Sequence, residues 1–169
     1  MTTAYYQSPI GMVEIKASGN VINSVVLSDE QQNITDPQSE ILKSCVRQLD
    51  EYFNGQRTSF DIPVCQDGTD FQQSVWHELM NIPFGKTITY ADLAQSLDNP
   101  KAVRAVGAVN GKNRIWVIVP CHRVIGSDGS LTGYAGGLDR KKWLLQHEAK
   151  VAREMGLVQN DHPVQLNLF

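Results

Sequence analysis

Apolar and polar positions alternate over the first thirty residues of the chain. Residues 4–6, 12–16 and 20–27 are rich in β-branched side chains, and turn-forming residues at Gly11 and 18–20 separate them. This pattern predicts three short strands in an antiparallel meander.

A helical period follows the predicted strands. In residues 39–53 the apolar side chains recur at the spacing of one helical face. They are Ile41, Leu42, Cys45, Val46, Leu49, Tyr52 and Phe53. Asn54 and Gly55 then supply a helix stop. The sequence predicts one amphipathic helix here, and the polar loop containing Asp67 and Gly68 predicts a domain boundary.

The second half of the chain begins with three helical patterns. Residues 70–80 predict an amphipathic helix capped by Asp70, and a short helix is predicted to begin at Thr89. Asn99 and Pro100 form a cap and first-turn proline for a third helix over 100–110. Two short helices joined by a tight turn predict a helix-turn-helix.

The third predicted helix has two different sides. Val103, Val106 and Asn110 share one side, and Arg104 is the only long side chain in its middle. Small residues form a stripe elsewhere, at Ala102, Ala105, Ala108 and Gly111. The stripe fits close approach to a nucleic-acid groove, but by itself it favours close packing against another helix with Arg104 in solvent.

The continuous apolar run 115–119, IWVIV, is typical of a buried strand. It leads into residues 120–124, PCHRV, and then into a glycine-rich loop over 126–137. The apolar spacing over 138–152 predicts a final helix.

Length and composition fit a packed globular protein. The chain has 169 residues, of which 41% are hydrophobic and 20% are charged, which favours one domain or two small ones. It holds no apolar run of about 18 residues, and its start lacks the pattern of a signal peptide. We therefore expect a cytoplasmic protein with no membrane partner.

Charge is distributed unevenly along the chain. Residues 1–70 carry 4 basic and 10 acidic side chains, whereas residues 71–150 carry 10 basic and 6 acidic ones. This asymmetry indicates an acidic first module and a mildly basic second module that could face phosphates, although ordinary scatter of charge explains it as well.

Cysteine chemistry is the strongest candidate for function. Cys45, Cys65 and Cys121 are odd in number and include no CxxC pair, which disfavours a disulfide framework and a cysteine zinc site. Cys121 follows the predicted buried strand and precedes His122, and a nearby histidine can lower the pKa of a thiol. Glu148 falls on the inward side of the last helix, so it requires a buried partner. The residues suggest a relay from Glu148 to His122 to Cys121, directly or through a water.

The sequence pattern around Cys121 has two other interpretations. Cys121 could be a buried structural residue, or the nucleophile of a Cys-His hydrolase. Two other chemistries are disfavoured. Met80 replaces the first glycine of a phosphate-binding loop that would end at Thr87. Val124 replaces the second cysteine of the zinc deaminase pattern.

Five segments together carry a specific resemblance. FGKTITYADLA, NPKAVRAVGAVNGKN, PCHRVIG, TGYAGG and KKWLLQHE resemble the O6-alkylguanine-DNA alkyltransferase family, and the likeness runs almost continuously over residues 70–150. The resemblance implies an α+β fold with a small ribonuclease-H-like N-terminal domain over 1–67. It also implies a helical C-terminal domain over 68–155, with a winged-helix-like helix-turn-helix, and a flexible tail over 156–169.

The resemblance implies DNA repair by irreversible, single-turnover transfer of an alkyl group from O6-alkylguanine, and from O4-alkylthymine, to Cys121. His122 and Glu148 match its proton relay, Tyr90 matches a phenol that donates to guanine N3, and Arg104 matches the side chain that replaces the flipped base. The implied DNA-binding residues are Tyr90, Ala102, Arg104, Ala105, Gly107 and Ala108. The implied pocket residues are Asn113, Val124, Tyr134, Ala135 and Gly136.

The resemblance also bears on partners and alternatives. It implies double-stranded DNA as the partner of a monomer, with no cofactor. The zinc-binding cluster of some members has no counterpart here, so we expect no metal. Ala135 stands where some members have serine, which leaves only backbone donation near O6. The alternative within this scaffold is a non-catalytic lesion-binding protein, and the presence of Cys121 argues against it.

The last five residues form a second motif. QLNLF resembles the C-terminal motif by which bacterial repair proteins bind the DNA polymerase sliding clamp, and its contact residues would be Gln165, Leu166, Leu168 and Phe169. The alternative is that this end folds back on the protein's own surface.

Overall fold

The computed structural model describes residues 1–34 and 36–158. Its contacts divide the chain into two units. The first comprises Met1–Asp67 and Arg114–Ile118, and the second comprises Gly68–Asn113 and the residues from Val119 on. The sequence predicts domain limits at 67/68 and 155. Whether these segments fold independently stays a prediction.

A three-stranded antiparallel sheet forms most of the first unit. Its strands are β1 (Thr2–Ser8), β2 (Gly11–Ser18) and β3 (Val21–Leu27), in the order β1-β2-β3. Alternate residues of β2 are buried, which is the period-2 pattern of a sheet with one covered face. The predicted meander is confirmed; β1 and β2 are longer than predicted, and β3 begins one residue later than predicted.

Helix α1 (Glu40–Phe53) supplies the apolar side chains of the same unit. The hydroxyl of Ser39 accepts a hydrogen bond from the Leu42 N–H and so caps the helix, and Asn54 is the C-cap. The buried side chains of α1 include Ile41, Leu42, Cys45, Leu49, Tyr52 and Phe53. The helix predicted over 39–53 is confirmed.

The predicted strand over 115–119 is wrong. Only Ile115 forms a bridge, which is parallel to Val25, and the chain then turns. Val117 has a φ of 72°, and the Ile118 N–H donates to the Trp116 carbonyl two residues earlier. A short apolar run indicates burial but does not distinguish a strand from a buried turn.

The second unit is mainly helical. Its helices are α2 (Asp70–Leu79), α3 (Tyr90–Ser96), α4 (Val103–Gly111) and α5 (Leu138–Glu154). Two short strands, β4 (Ile88–Thr89) and β5 (Val124–Ile125), pair in parallel. Helices α3 and α4 pack together as the predicted helix-turn-helix pair, and α2 packs against both.

Two predicted helix starts need correction. Helix α2 is capped by Thr69 in a reciprocal capping box with Gln72, one residue before the predicted cap at Asp70. Helix α4 begins at Val103, because the Ala102 N–H donates to the Asn99 carbonyl and closes a turn over the residues predicted as its first turn. The predicted cap of α3 is confirmed, since Thr89 and Asp92 bond reciprocally.

No helix within residues 1–34 and 36–158 is long and apolar enough to cross a membrane.

Candidate active site

Two consecutive tight turns place Cys121. Pro120 has φ −83° and ψ 61°, and the Cys121 N–H donates to the Val119 carbonyl at 2.8 Å, which is an inverse γ-turn. Cys121–Arg123 then form a single turn of 3-10 helix. The chain therefore changes direction sharply at Cys121, whose side chain is 3% exposed.

The surroundings of the Cys121 sulfur act in opposite directions on its proton affinity. Burial raises the pKa of the thiol to about 11. The Asn113 amide, the charge of Lys141 and the backbone N–H groups of Cys121 and His122 all oppose this by favouring the thiolate. The resting group is a neutral thiol with thiolate-stabilising donors already in place.

His122 and Glu148 form a buried pair. The Nε2 atom of His122 lies 2.7 Å from Oε1 of Glu148. Burial lowers the pKa of His122, against the opposing effect of Glu148, so the imidazole is neutral at neutral pH. Because ionised Glu148 can only accept, the proton of His122 lies on Nε2. The buried Nδ1 atom has no hydrogen-bond partner within the described residues and is therefore available as an acceptor.

Glu148 also binds an arginine that the sequence analysis missed. The Arg123 Nε and Nη2 atoms donate to its two carboxylate oxygens at 2.9 and 3.0 Å. Arg123 Nη1 donates to the Ile82 carbonyl at 2.7 Å, and the guanidinium lies 5.7 Å from the Phe84 ring centroid. Burial raises the pKa of Glu148, but His122 and Arg123 outweigh it and hold that pKa well below its usual range.

A glycine lets the backbone reach the same carboxylate. The Gly85 N–H donates to Glu148 Oε2 at 3.3 Å. Its φ is +76°, and a Cβ atom at this position would lie 2.7 Å from the Cβ of Ala152. A larger residue at 85 would therefore be strained in conformation and would clash with α5.

Lys141 is a second buried cation that the sequence analysis missed. Its Nζ atom donates to the carbonyls of Val124 at 2.6 Å and Thr132 at 2.9 Å, and lies 5.9 Å from the Tyr90 ring centroid. Burial lowers the pKa of Lys141 to about 8, while the nearby Cys121 opposes this shift. Helix α5 therefore contributes both an anion and a cation to the site, although helical spacing had identified only Glu148.

Tyr90 is half-buried at the start of α3, beside the glycine-rich loop. Its hydroxyl donates to the Thr132 carbonyl at 3.1 Å. The same carbonyl accepts from Lys141, so one peptide of the loop connects α3 with α5.

The predicted pocket residues lie on several elements around Cys121. Asn113 Nδ2 donates to the Val119 carbonyl at 2.9 Å, and the Val124 carbonyl is bound by Lys141. Tyr134 and Gly136 are buried in the glycine-rich loop, whereas Ala135 is exposed. The structure thus brings Asn113, Val124 and Tyr134 to the turn at Cys121 or to the groups that surround it.

Helix α4 presents the predicted DNA-binding residues unequally. Arg104, Ala105 and Ala108 are exposed, and Ala102 is half-buried. Gly107 is also half-buried, and a Cβ atom there would lie 3.6 Å from the Tyr90 ring. The exposed face therefore combines one long cation with small neighbours, while Gly107 allows α4 to pack close to Tyr90.

The residues predicted to contact a sliding clamp lie outside the described residues; they are Gln165, Leu166, Leu168 and Phe169. In the described part of the chain, no three His, Cys, Asp or Glu side chains lie together as metal ligands could.

Two family models together match almost all of the described chain. The ribonuclease-like domain of 6-O-methylguanine DNA methyltransferase matches residues 1–66, and its DNA-binding domain matches residues 70–150.

Individual relatives agree with the family models. The methylated-DNA–protein-cysteine methyltransferase of Methanosarcina acetivorans is 44% identical over 153 residues, covering 88% of this chain and 98% of the relative. The Mycobacterium tuberculosis O6-methylguanine methyltransferase crystal structure is 41% identical with a TM-score of 0.79, covering 89% of this chain and 94% of that one. A structure of Mycobacterium tuberculosis OGT in complex with DNA is 42% identical with the same TM-score, over 87% of this chain and 93% of that one. The chain therefore belongs to the 6-O-methylguanine DNA methyltransferase family.

Proposed function

We propose that this protein repairs DNA by transferring the alkyl group of O6-alkylguanine to the sulfur of Cys121. The observation that carries the proposal is the buried turn at Cys121. In this turn the Cys121 thiol lies beside donors that stabilise its thiolate form. The next residue is His122, whose Nε2 atom is bound by Glu148. The curated relatives named as methylated-DNA–protein-cysteine methyltransferases support this chemistry.

In the reaction, the Cys121 sulfur attacks the carbon attached to guanine O6. A sulfur–carbon bond forms as the carbon–oxygen bond breaks, and guanine leaves with the bonding electrons. The proton released by the thiol balances the proton that guanine gains. The product is a thioether, whose carbon–sulfur bond is not hydrolysed under ordinary conditions, so each molecule acts once.

His122 is the first base in this scheme. Its Nδ1 atom carries the lone pair, because its Nε2–H is directed at Glu148. The proton is proposed to pass from the sulfur to Nδ1, directly or through one water. Arg123 keeps Glu148 ionised, so Glu148 fixes the imidazole tautomer without taking up the proton itself.

Tyr90 is proposed to act on the leaving base, and Lys141 on the attacking sulfur. The Tyr90 hydroxyl is proposed to leave the Thr132 carbonyl and donate to guanine N3 as negative charge develops on the base. Lys141 stabilises the attacking thiolate through its charge, and its two bonds to carbonyls fix the pocket wall.

The target base must leave the helix for this attack, because O6 inside a duplex cannot meet the thiolate in line. Unstacking costs a few kcal/mol. We propose that exposed Arg104 fills the gap and offsets part of this cost, while Ala105 and Ala108 allow α4 to approach the groove closely.

A titration of duplex DNA containing O6-methylguanine against the protein tests this function. The repaired lesion should reach a plateau at one per protein molecule. The Cys121→Ser variant should bind the duplex but repair nothing. Repair that continues beyond one lesion per protein would indicate a turning-over enzyme. Binding without any repair by the parent protein would favour the lesion-binding alternative.

We further propose that the C-terminal QLNLF binds the bacterial DNA polymerase sliding clamp. Gln165 would enter a polar subsite, and Leu166, Leu168 and Phe169 would fill a hydrophobic pocket. The support is the match of these residues to the clamp-binding motif, in a chain whose relatives are named methylated-DNA–protein-cysteine methyltransferases.

Pull-down with purified clamp tests this partner. Deleting residues 165–169 should abolish clamp capture and leave alkyl transfer unchanged, and the matched control is replacement of His162 and Pro163 by alanine. Equal capture by the full-length and truncated proteins would refute the clamp proposal without affecting the proposed repair activity.

A further inference from the structure

Asn110 is a buried polar residue to which the proposed mechanism assigns no role. It lies on the inner side of α4 and is 2% exposed. Its Nδ2 atom donates to the Cys121 carbonyl at 3.3 Å. Arg104 is exposed on the same helix. One helix therefore carries both the proposed DNA-inserting side chain and a direct contact to the acceptor residue.

The other half of the Asn110 amide is unsatisfied by protein. Its Oδ1 atom is buried and has no hydrogen-bond partner within the described residues. An unpaired buried acceptor is destabilising, and a leucine of similar size would avoid that cost. Within the described residues, the Asn110 amide therefore contributes only as a donor, through the hydrogen bond from Nδ2 to the Cys121 carbonyl.

Two asparagines, one in the last turn of α4 and one just after the helix, hold the turn on both sides of Pro120. Asn113 binds the Val119 carbonyl before the proline, and Asn110 binds the Cys121 carbonyl after it. Proline already fixes its own φ. The side chains of Asn110 and Asn113 therefore fix the direction of the turn at Cys121.

The bond to the Cys121 carbonyl also orients a donor to the sulfur. In a planar trans peptide, the carbonyl of Cys121 and the N–H of His122 point in opposite directions. When Asn110 holds the carbonyl towards α4, the His122 N–H is turned away from α4. This N–H is one of the donors that lower the pKa of the Cys121 thiol. A hydrogen bond at the carbonyl also polarises the peptide and strengthens its N–H as a donor.

We propose that Asn110 is a positioning residue for alkyl transfer, which holds the Cys121 carbonyl and thereby aims the His122 N–H at the acceptor sulfur. This inference rests on the proposed function of Cys121. It assigns to the inner side of α4 a part in the reaction, separate from DNA contact by its exposed side.

The effect of Asn110 on the Cys121 thiol can be distinguished from the effects of the other groups near the sulfur. Lys141 faces Cys121 from α5, Tyr134 faces it from the glycine-rich loop, and the Asn113 amide faces it from the segment that follows α4. None of them contacts the Asn110 side chain through a bond that the structure describes. A change at Asn110 should therefore act on the thiol through the Cys121–His122 peptide.

The test measures thiolate formation and alkyl transfer in full-length Asn110→Leu. The thiolate of Cys121 is titrated in the DNA-free protein by its ultraviolet absorbance, as the difference from the Cys121→Ser protein. Single-turnover transfer from an O6-methylguanine duplex is measured over the same pH range. Val106→Ala is the matched control, since Val106 is fully buried on the same side of α4 and has no polar contact with Cys121.

We expect Asn110→Leu to need a higher pH to form the thiolate, and its transfer rate near neutral pH to fall about 3- to 10-fold. The rate should recover as the pH rises, and binding of lesion DNA should be retained. Val106→Ala should lose stability but keep the parent titration. If Asn110→Leu does not fold, Asn110→Ser, which shortens the donor, provides the same comparison.

A thiolate titration and pH–rate profile identical to the parent in a folded Asn110 variant would overturn the inference. A parent protein that transfers no alkyl group would refute the proposed function instead. Even then, the titration of the DNA-free thiol would still decide whether Asn110 acts on the sulfur.

Discussion

The Nε2 atom of His122 lies 2.7 Å from Oε1 of Glu148, and both side chains are almost completely buried. Glu148 also binds Arg123 through both carboxylate oxygens. The carboxylate is therefore shared between a permanent cation and a neutral imidazole. This sharing lets Glu148 orient His122 without converting it to an imidazolium.

Removing the permanent cation should change the charge of the histidine. Burial is the largest cause of the lowered pKa of His122, and Arg123 lowers it further while Glu148 raises it. In Arg123→Met, Glu148 would act on His122 alone, so that pKa should rise and imidazolium should form at a higher pH. An imidazolium cannot accept the thiol proton.

The single-turnover transfer rate of Arg123→Met should therefore fall near and below neutral pH and recover as the solution becomes more alkaline. Arg123→Lys, which retains a cation, is the control and should keep more of the parent rate. A pH profile of Arg123→Met that coincides with the parent profile would contradict the shared-carboxylate account.

Glu148→Gln tests the same cluster through stability. It leaves Arg123 buried without its anion, and removal of one partner from a buried ion pair costs about 3–5 kcal/mol. Urea unfolding should report a loss of this size. Glu154→Gln is a control on the same helix, because Glu154 is exposed and lies 3.9 Å from Lys150. That change should alter stability by less than about 1 kcal/mol, and equal losses in the two variants would refute the prediction.

Tyr90→Phe distinguishes the proposed proton donation by the hydroxyl from its structural hydrogen bond. The variant loses the bond from the hydroxyl to the Thr132 carbonyl, which should cost about 0.5–1.5 kcal/mol of stability. If the hydroxyl donates to guanine in the reaction, single-turnover transfer should slow about 100-fold or more. Lesion binding measured by fluorescence anisotropy should change little. A transfer rate within twofold of the parent would exclude the proposed role.

Lys141 predicts a specific dependence of stability on pH. Its pKa falls from 10.5 to about 8 in the folded protein because of burial. Between these values the unfolded chain binds more protons than the folded chain, so this group adds stability as the pH rises through that window. The slope is at most about 1.4 kcal/mol per pH unit for one proton.

The comparison of the parent with Lys141→Met tests this effect. Cys121 acts in the opposite direction at alkaline pH, since its pKa is raised to about 11, and the charge of Lys141 lowers that pKa. Loss of Lys141 therefore makes the Cys121 effect larger in the variant, which widens the expected difference. Denaturant unfolding from pH 7.5 to 10.5 should show the parent gaining stability relative to the variant. If the free energies of unfolding of the two proteins change with pH in parallel, the claim that burial lowers the pKa of Lys141 would be wrong.

Local sequence patterns predicted the elements of the fold well. Alternation gave the meander, helical spacing gave α1 and α5, and Thr89 with Asp92 gave the start of α3. The same reasoning failed at 115–119, because burial of that run arises from a turn and one bridge to β3. It also misplaced the cap of α2 by one residue, where Thr69 and Asp70 are both good caps.

The candidate site was only partly predictable. Helical spacing places Glu148 on the inner side of α5, and a buried carboxylate requires a partner. The same spacing also places Lys141 on that side, but a lysine in a basic stretch is normally exposed. Arg123 follows a catalytic candidate in sequence, yet its bonds to Glu148 and Ile82 depend on a 3-10 turn that the residue types alone do not specify.

The central claim is that Cys121 itself receives the alkyl group, and intact-mass measurement with peptide mapping tests it most directly. The full-length protein is incubated with duplex DNA containing O6-methylguanine and then digested. The account predicts the mass of one added methyl group, located on the peptide that holds Cys121, with Cys45 and Cys65 unmodified. A methyl group on another residue, or loss of the lesion without any gain in protein mass, would contradict it.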